Sequence, residues 1–304
     1  MRKLRKPDHL DSSFVAEIIQ AQFPLLVPVR VVYLGEGYDS AAFEVNERWI
    51  FRFPKRDEVE RQLLIETRIL SVLAVQTPVP IPAFSFHGQP SFVYPHHFAG
   101  YAKLAGVPAI QLDPARLPFL QLAPALARFL SFLHSFSVSA AFHCGVPEQR
   151  IDALIEEMRA EALRDFELVS QVAPDAPGKK WRSFLEAGVD VHPPSTPVVV
   201  HNDLAAEHIL LDPAAHKVTG IIDWSDIAIS DPAADFAGMF HWGGEAFVNA
   251  VLSNYDGHLD DLVLRRARFM AACRGVADVA FGLETHRREY LDAGVRALRL
   301  CCGA

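Results

Sequence analysis

Cysteine is scarce in this chain: four in 304 residues (Cys144, Cys273, Cys301, Cys302), with no C-x-x-C pair. That excludes a disulfide framework and a cysteine zinc site, and points to free thiols in a reducing compartment. Positive charge is short too: 29 Lys and Arg stand against 37 Asp and Glu, a formal net charge of −8. A general nucleic-acid binder needs a basic face, so that class of partner loses ground. Long apolar runs are also missing. The most apolar stretch, 117–136, is broken by Pro118, Gln121, Pro124, Arg128 and His134. It barely reaches the ~20 residues of a spanning helix, and Arg128 sits near its middle, so it reads as a buried helix and no membrane partner is expected. The N-terminus MRKLRKPDHLDSS is basic but leads into no apolar segment, so a secretory signal is not expected and the protein reads as cytoplasmic. Repeats and low-complexity tracts are absent.

What remains is an ordinary globular balance, half apolar and 22% charged, enough for one large domain or two moderate ones. Asp11 and Ser12 look like a helix cap before Phe14, Val15, Ile18 and Ile19. Val29–Leu34 reads as a strand, 35–40 as a turn, and Ala41–Val45 and Trp49–Phe53 as two strands joined by Asn46-Glu47-Arg48. Pro54 stops the third strand. Glu58–Leu73 has a helical apolar period, and Ile81–Phe86 and Ser91–Tyr94 fit two further strands. Residues 1–95 therefore predict a mostly antiparallel five-stranded sheet covered by one helix. The irregular stretch 96–108 predicts a linker. Residues 109–304 predict a larger, mainly helical lobe, with helices near 115–136, 147–172 and 178–188 and again after Pro232. The fold class is α+β, in two lobes with a cleft expected between them, where nucleotide sites commonly form.

The densest chemistry lies in Val-Val-Val-His201-Asn202-Asp203-Leu-Ala-Ala-Glu-His208-Ile-Leu-Leu-Asp, followed by Gly-Ile-Ile-Asp223-Trp224. Two apolar strands each end at an acidic residue. Phosphoryl transfer needs one carboxylate to orient the attacking hydroxyl and oxygen ligands to hold magnesium against the phosphates. Asp203 is the candidate base. Alone it would be read as a strand-end turn residue; its company at 201, 208 and 223 favours chemistry. Asp223 is the candidate magnesium ligand, against the plainer role of a helix cap. His208 stands in a metal-proximal place, but imidazole is a poor magnesium ligand. Direct ligation, ligation through water and a hydrogen-bonded core histidine all stay open. His201 reads as an organiser of the loop, bonding backbone on one side and a carboxylate on the other.

Other positions carry weaker signals. Gly35, Gly37 and Ser40 lie in a turn whose backbone N–H groups and hydroxyl suit phosphates, although such a turn is often only a hairpin. In Trp49-Ile-Phe-Arg-Phe53, alternation sets Arg52 on the face opposite Trp49, Phe51 and Phe53. A lone arginine there wants an anionic partner, and Glu66, on the inner side of the 58–73 helix, is the best protein candidate; Lys55 is the alternative cation. Asp226, Asp231 and Asp235 are assigned structural roles: Asp231-Pro232 as a helix start and Asp235 as a brace for the 201–208 loop.

The segments HNDLAAEHILLD, GIIDWSDIAISDPAADFAG, LGEGYDSAAFEV and WIFRFPKR resemble the aminoglycoside phosphotransferase family. With FAGYAKLAGVP at 98–108, they look most like its 2''-aminoglycoside branch, macrolide phosphotransferases next. The resemblance implies a two-lobed protein-kinase-like fold, Asp203 as base, and His208 and Asp223 as magnesium ligands. It puts Arg52 in place of the usual nucleotide-binding lysine, with Glu66 as its partner. It makes 95–101 the hinge that reads the purine, through Phe98, Gly100 and Tyr101. Mg2+ and either ATP or GTP are the implied cofactor and phosphate donor. The implied acceptor is a small-molecule hydroxyl, a cationic aminoglycoside first, and a monomer is expected. A polycation suits carboxylates, and Glu245, Asp256, Asp260 and Glu284 are the candidates, although such residues are commonly solvated helix faces. A macrolide would prefer Phe240, His241, Trp242 and Phe281. A macrolide phosphotransferase, a metabolic small-alcohol kinase of choline, sugar or homoserine type, and a non-catalytic nucleotide-binding pseudo-kinase are the alternatives.

Overall fold

Two consecutive left-handed residues, Asn46 and Glu47 (φ 54° and 58°), reverse the chain between strands β2 (Ser40–Val45) and β3 (Trp49–Pro54). Two such residues give the tight hairpin turn whose twist matches that of the strands. Asn46 pins it from outside: its Oδ1 accepts the Arg30 N–H and its Nδ2 donates to the Leu26 carbonyl, both at 2.8 Å. The computed structural model describes residues 10–36, 40–192 and 196–303. It divides into one unit of residues up to Gln76 with Pro80–Leu104, and another of Thr77–Val79 with the chain from Ala105 onward.

In the first unit, helix α1 (Ser12–Gln22) starts where the Asp11 side chain accepts the Phe14 N–H at 2.8 Å, the expected cap. Strand β1 (Val31–Glu36), β2, β3, β4 (Phe84–Gly88) and β5 (Phe98–Ala102) form one antiparallel sheet in the order β1-β2-β3-β5-β4. Helix α2 (Asp57–Leu73) packs on β3, β5 and β4. Alternation along β3 is as predicted: Phe51 and Phe53 are fully buried in a core with Phe43, Phe86, Phe98 and Tyr94. Each such ring contributes roughly 1.5–3 kcal/mol of burial.

The fifth strand differs from the expectation. Residues 91–94 are a turn, closed by Ser91 N–H donating to the Tyr94 carbonyl at 2.7 Å, and the strand is Phe98–Ala102, in the stretch read as a linker. Gly100 suggested a loop, but its role is packing: a Cβ there would lie 2.7 Å from the Phe51 ring. A bare strand lets that ring close over it. The segment before β5 is tied to α2, where Glu60 accepts the His97 N–H at 2.9 Å and faces His96 Nδ1 at 2.9 Å.

The second unit opens with β6 (Val107–Pro108) and runs through α3 (Phe119–His134), α4 (Val138–His143), α5 (Ile151–Asp165), α6 (Glu167–Val172) and α7 (Gly178–Ala187). Short strands β7 (Val198–Val200), β8 (Ile209–Asp212), β9 (Lys217–Ile221) and β10 (Ala228–Ser230) follow, then α8 (Ala233–Leu252), α9 (Val263–Thr285) and α10 (Arg288–Cys302). The apolar stretch at 117–136 is the amphipathic α3: Leu122, Leu126, Phe129, Leu130 and Leu133 are buried and Arg128 is exposed. No helix among the described residues is long and apolar enough to cross a membrane. The fold is α+β, an antiparallel five-stranded sheet with helices in the first unit and a mainly helical second unit.

Candidate active site

Strand β7 pairs antiparallel with β10, and β8 pairs with β9. The chain from 201 to 208 crosses between these two small sheets, so its ends are fixed by strands. Helix α8 comes close beneath it. A Cβ at Gly238 would meet the Leu204 carbonyl oxygen at 1.5 Å, so only glycine permits the contact.

Three buried groups hold this loop. Asp235, the expected brace, accepts the His201 N–H at 3.1 Å and the Asn202 N–H at 2.8 Å, and His134 Nε2 lies 3.1 Å from its Oδ2. Asn202 is left-handed (φ 69°), a conformation that asparagine tolerates better than most residues. His201 is fully buried against Trp224. Its Nε2 donates to the Ile222 carbonyl at 3.0 Å and its Nδ1 accepts the Asp203 N–H at 3.3 Å. Its second partner is therefore backbone, where a carboxylate was expected. Burial pushes its pKa down, which suits the neutral ring this pattern needs.

Asp203 projects from the loop with both oxygens engaged: Oδ1 lies 2.5 Å from Arg274 Nη1 and Oδ2 lies 3.2 Å from His208 Nδ1. His208 Nδ1 also donates to the Asp203 carbonyl at 2.8 Å, and its Nε2 faces Asp223 Oδ2 at 3.6 Å. One imidazole thus spans the gap between the two predicted carboxylates. Asp223 follows β9 in a left-handed conformation (φ 59°) and accepts the Ser225 hydroxyl at 3.0 Å. Burial alone would lower the His208 pKa, but Asp203, Asp223 and Glu207 outweigh it and push it up to about 9. The two flanking carboxylates therefore favour the protonated form of His208.

Arg274 on α9 completes the group. Its Nη2 donates to Glu207 Oε1 at 2.7 Å. Burial would raise the Glu207 pKa, yet Arg274, His208 and His241 bring it down to about 2. Nearby, His241 Nε2 and Asp278 Oδ2 lie 2.8 Å apart. Asp226 has the opposite shift: loss of water around its carboxyl, with the charges of Asp203 and Asp223, raises it to about 6. It belongs electrostatically with these carboxylates, where the sequence suggested only a structural role.

In the first unit, Arg52 Nη1 reaches both carboxylate oxygens of buried Glu66, at 2.7 and 2.8 Å, as the alternation on β3 requires. Gly35 sits at an irregularity in the β1–β2 pairing and Ser40 begins β2. Gly37, with Tyr38 and Asp39, lies outside the described residues. Phe98 stacks on Phe53 at 4.5 Å inside the core, and Tyr101 is buried against Phe84. A ligand along β5 would therefore meet the Phe98 and Gly100 positions through backbone.

The acidic residues guessed for the acceptor separate in kind. Glu245, Asp256 and Glu284 are exposed, whereas Asp260 lies 2.5 Å from fully buried Arg266, which also pairs with Asp231 at 2.9 Å. Asp231 Oδ1 accepts the Ala233 N–H at 2.8 Å, the helix-start role expected of it. Phe240, His241 and Trp242 are core residues, with Trp242 packed on Phe119 and Phe247, so they form no exposed apolar wall. Sequence reasoning missed Glu207, Arg274 and Asp278. The available signal was a lone Arg and a lone Asp four apart inside the otherwise apolar run at 269–281.

Donor chemistry at Asp203, Asp223 and Asp226 fits a hard divalent cation, which prefers carboxylate oxygens. His208 fits less directly, since its Nδ1 hydrogen is already given to the Asp203 carbonyl and only Nε2 faces Asp223.

Comparison with known proteins supplies an independent view. The model of the Phosphotransferase enzyme family matches residues 30–269. The chain is 24% identical over 263 residues to the uncharacterized protein YcbJ of Bacillus subtilis (strain 168), spanning 82% of each. Its structure is similar to the solved GDP complex of wild-type aminoglycoside 2'-phosphotransferase-IIIa, with a TM-score of 0.74 and 29% identity, covering 96% of this chain and 99% of that one. A GDP and kanamycin complex of APH(2")-IIIa is similar at a TM-score of 0.69 and 27% identity, covering 94% and 97%.

Proposed function

The chain belongs to the phosphotransferase enzyme family, and from that premise we propose that it moves the terminal phosphate of ATP or GTP onto a hydroxyl of a small cationic molecule, with an aminoglycoside as the first acceptor to test. The observation that carries this reading is the joint contact of Asp203 and Asp223 with one imidazole, at 3.2 and 3.6 Å. Two carboxylates so close, bridged by one imidazole, suit a centre where a hydroxyl, a phosphate and a cation must meet.

In the proposed reaction Asp203 orients the acceptor hydroxyl and takes its proton. The hydroxyl oxygen bonds to the terminal phosphorus, the bond from that phosphorus to the bridging oxygen breaks, and the nucleoside diphosphate leaves. Asp223 would hold magnesium, with Asp226 and His208 bordering the same place. Bound there, the ion would neutralise charge on the phosphates. Arg52, held by Glu66, would anchor phosphate oxygens in the first unit, with Gly35 and Ser40 adding backbone and hydroxyl donors. Phe98, Gly100 and Tyr101 would bring the β5 backbone to the purine.

The surplus of carboxylates around the base, Asp203, Glu207, Asp223, Asp226 and Asp278, favours an amine-bearing acceptor over an apolar one. The core positions of Phe240, His241 and Trp242 weaken the macrolide reading. Four free cysteines suit the reducing cytoplasm, where the nucleotide donor is available. The test is nucleoside diphosphate release with magnesium, across kanamycin-type aminoglycosides, macrolides and simple alcohols such as choline and homoserine. Acceptor-dependent release with a kanamycin-type compound supports the proposal. Release only with a simple alcohol would move the substrate class, and nucleotide binding without transfer to any acceptor would favour the non-catalytic alternative.

A further inference from the structure

We propose that the second unit carries a binding site for a small organic monoanion, in a cavity of about 860 Å³ walled by the turn after α6, the end of α9 and one face of α10. The site shares no residue with the Asp203 group and stands independently of the phosphotransfer reading. Its volume lies within the range usual for small-molecule sites.

The argument begins with charge. This is an acidic chain, yet three arginines, Arg288, Arg296 and Arg299, line one cavity. Helical spacing explains how they gather: positions three and four apart share a face of α10. Arg288 has a carboxylate neighbour, Asp292, at 3.5 Å. Arg296 and Arg299 have no ion pair among the described residues. Arg296 is also partly buried, so its guanidinium has lost water without gaining a carboxylate in return. Such a group costs free energy until an anion meets it.

The remaining walls set the ligand class. Asp175 and Asp292 also line the cavity, so three arginines set against two aspartates leave one formal positive charge. One spare charge suits a monoanion and rejects cations. Leu291 and Val295 stand beside the arginines, with further apolar surface from the turn after α6. The ligand that fits has a carboxylate or sulfonate head on an apolar body; inorganic phosphate, which has no apolar body, should bind weakly.

The test uses the whole protein and three probes: 8-anilinonaphthalene-1-sulfonate, its uncharged relative N-phenyl-1-naphthylamine, and inorganic phosphate. Binding of the first two is followed by fluorescence, and phosphate by its competition with the sulfonate. Arg296→Gln and Arg299→Gln should each weaken the sulfonate about tenfold or more, as expected for loss of a charge-assisted hydrogen bond. The uncharged probe should shift less than twofold. Arg288→Gln, whose side chain is already paired, should matter less. Val295→Trp keeps the arginines and fills the cavity, so both aromatic probes should be lost together. Thermal unfolding of each variant reports whether it is folded. Unchanged sulfonate affinity in folded Arg296→Gln overturns the proposal. So does equal loss of the charged and uncharged probes in that variant. If Arg296→Gln does not fold, unchanged sulfonate binding by Val295→Trp overturns it instead, and loss supports it.

Discussion

Arg274 Nη1 lies 2.5 Å from Asp203 Oδ1, while Nη2 of the same guanidinium donates to Glu207 Oε1 at 2.7 Å. One arginine on α9 therefore fixes the proposed base and is itself anchored by a mostly buried carboxylate. A planar fork suits this double duty in a way a lysine does not.

Replacing Arg274 with Met should therefore act on two quantities. Turnover should fall about tenfold to a hundredfold with the nucleotide KM little changed, because Asp203 loses its orientation but the first unit is untouched. Stability should fall by roughly 3 kcal/mol or more, since Glu207 is left without its cation. Arg274→Lys should restore part of the turnover. Steady-state kinetics and urea unfolding read the two effects separately. A Met variant with parental turnover would remove Arg274 from the account of the base.

Asp223→Asn should raise the magnesium concentration needed for half-maximal turnover, by about tenfold, and weaken nucleotide binding with it. A hard cation loses a charged oxygen ligand in this change. The check is a magnesium titration of the rate at fixed nucleotide. An unchanged titration would place the ion elsewhere.

In metal-free buffer, Asp226 gives a pH signature. Its folded pKa is raised to about 6, so its ionised form opposes folding. The penalty is absent below the ordinary aspartate range, grows as pH rises through it, and is complete above about 6. Asp226→Asn should therefore unfold at a higher temperature than the parent at pH 7.5 with EDTA, and the two should converge near pH 4. A constant difference at both values would contradict the shift.

In the first unit, Glu66 is buried and takes Arg52 on both oxygens. Arg52→Met should cost about 3 kcal/mol of stability, because a buried carboxylate loses a charged partner. It should also raise the nucleotide KM. Denaturant unfolding and KM measurement check the two parts. Loss of stability with an unchanged KM would make the pair purely structural.

The parts of this protein legible in its sequence are those with local signals. The Asn46–Glu47 turn, the α2 period and the strands ending near Asp203 and Asp223 are each set by residues within a short window. His208 falls beside both carboxylates because β8 and β9 form a hairpin, so local order brings them together. Strand β5 was hidden because Gly100 is a loop signal by itself and becomes a strand residue only under the Phe51 ring. Arg274 was hidden for the opposite reason. It lies far along the chain, inside a helix packed on α8, α10 and α5, and only tertiary packing brings it to Asp203. Asp260 looked like a solvated face because Arg266, its partner, gave no sign in sequence that it would be fully buried.

The central claim is that Asp203 is the base, and the most direct measurement is acceptor-dependent diphosphate release by Asp203→Asn beside the parent, with nucleotide binding measured on both. The account expects nucleotide affinity to hold and turnover to drop by about two orders of magnitude or more. Equal turnover in the two proteins would contradict it.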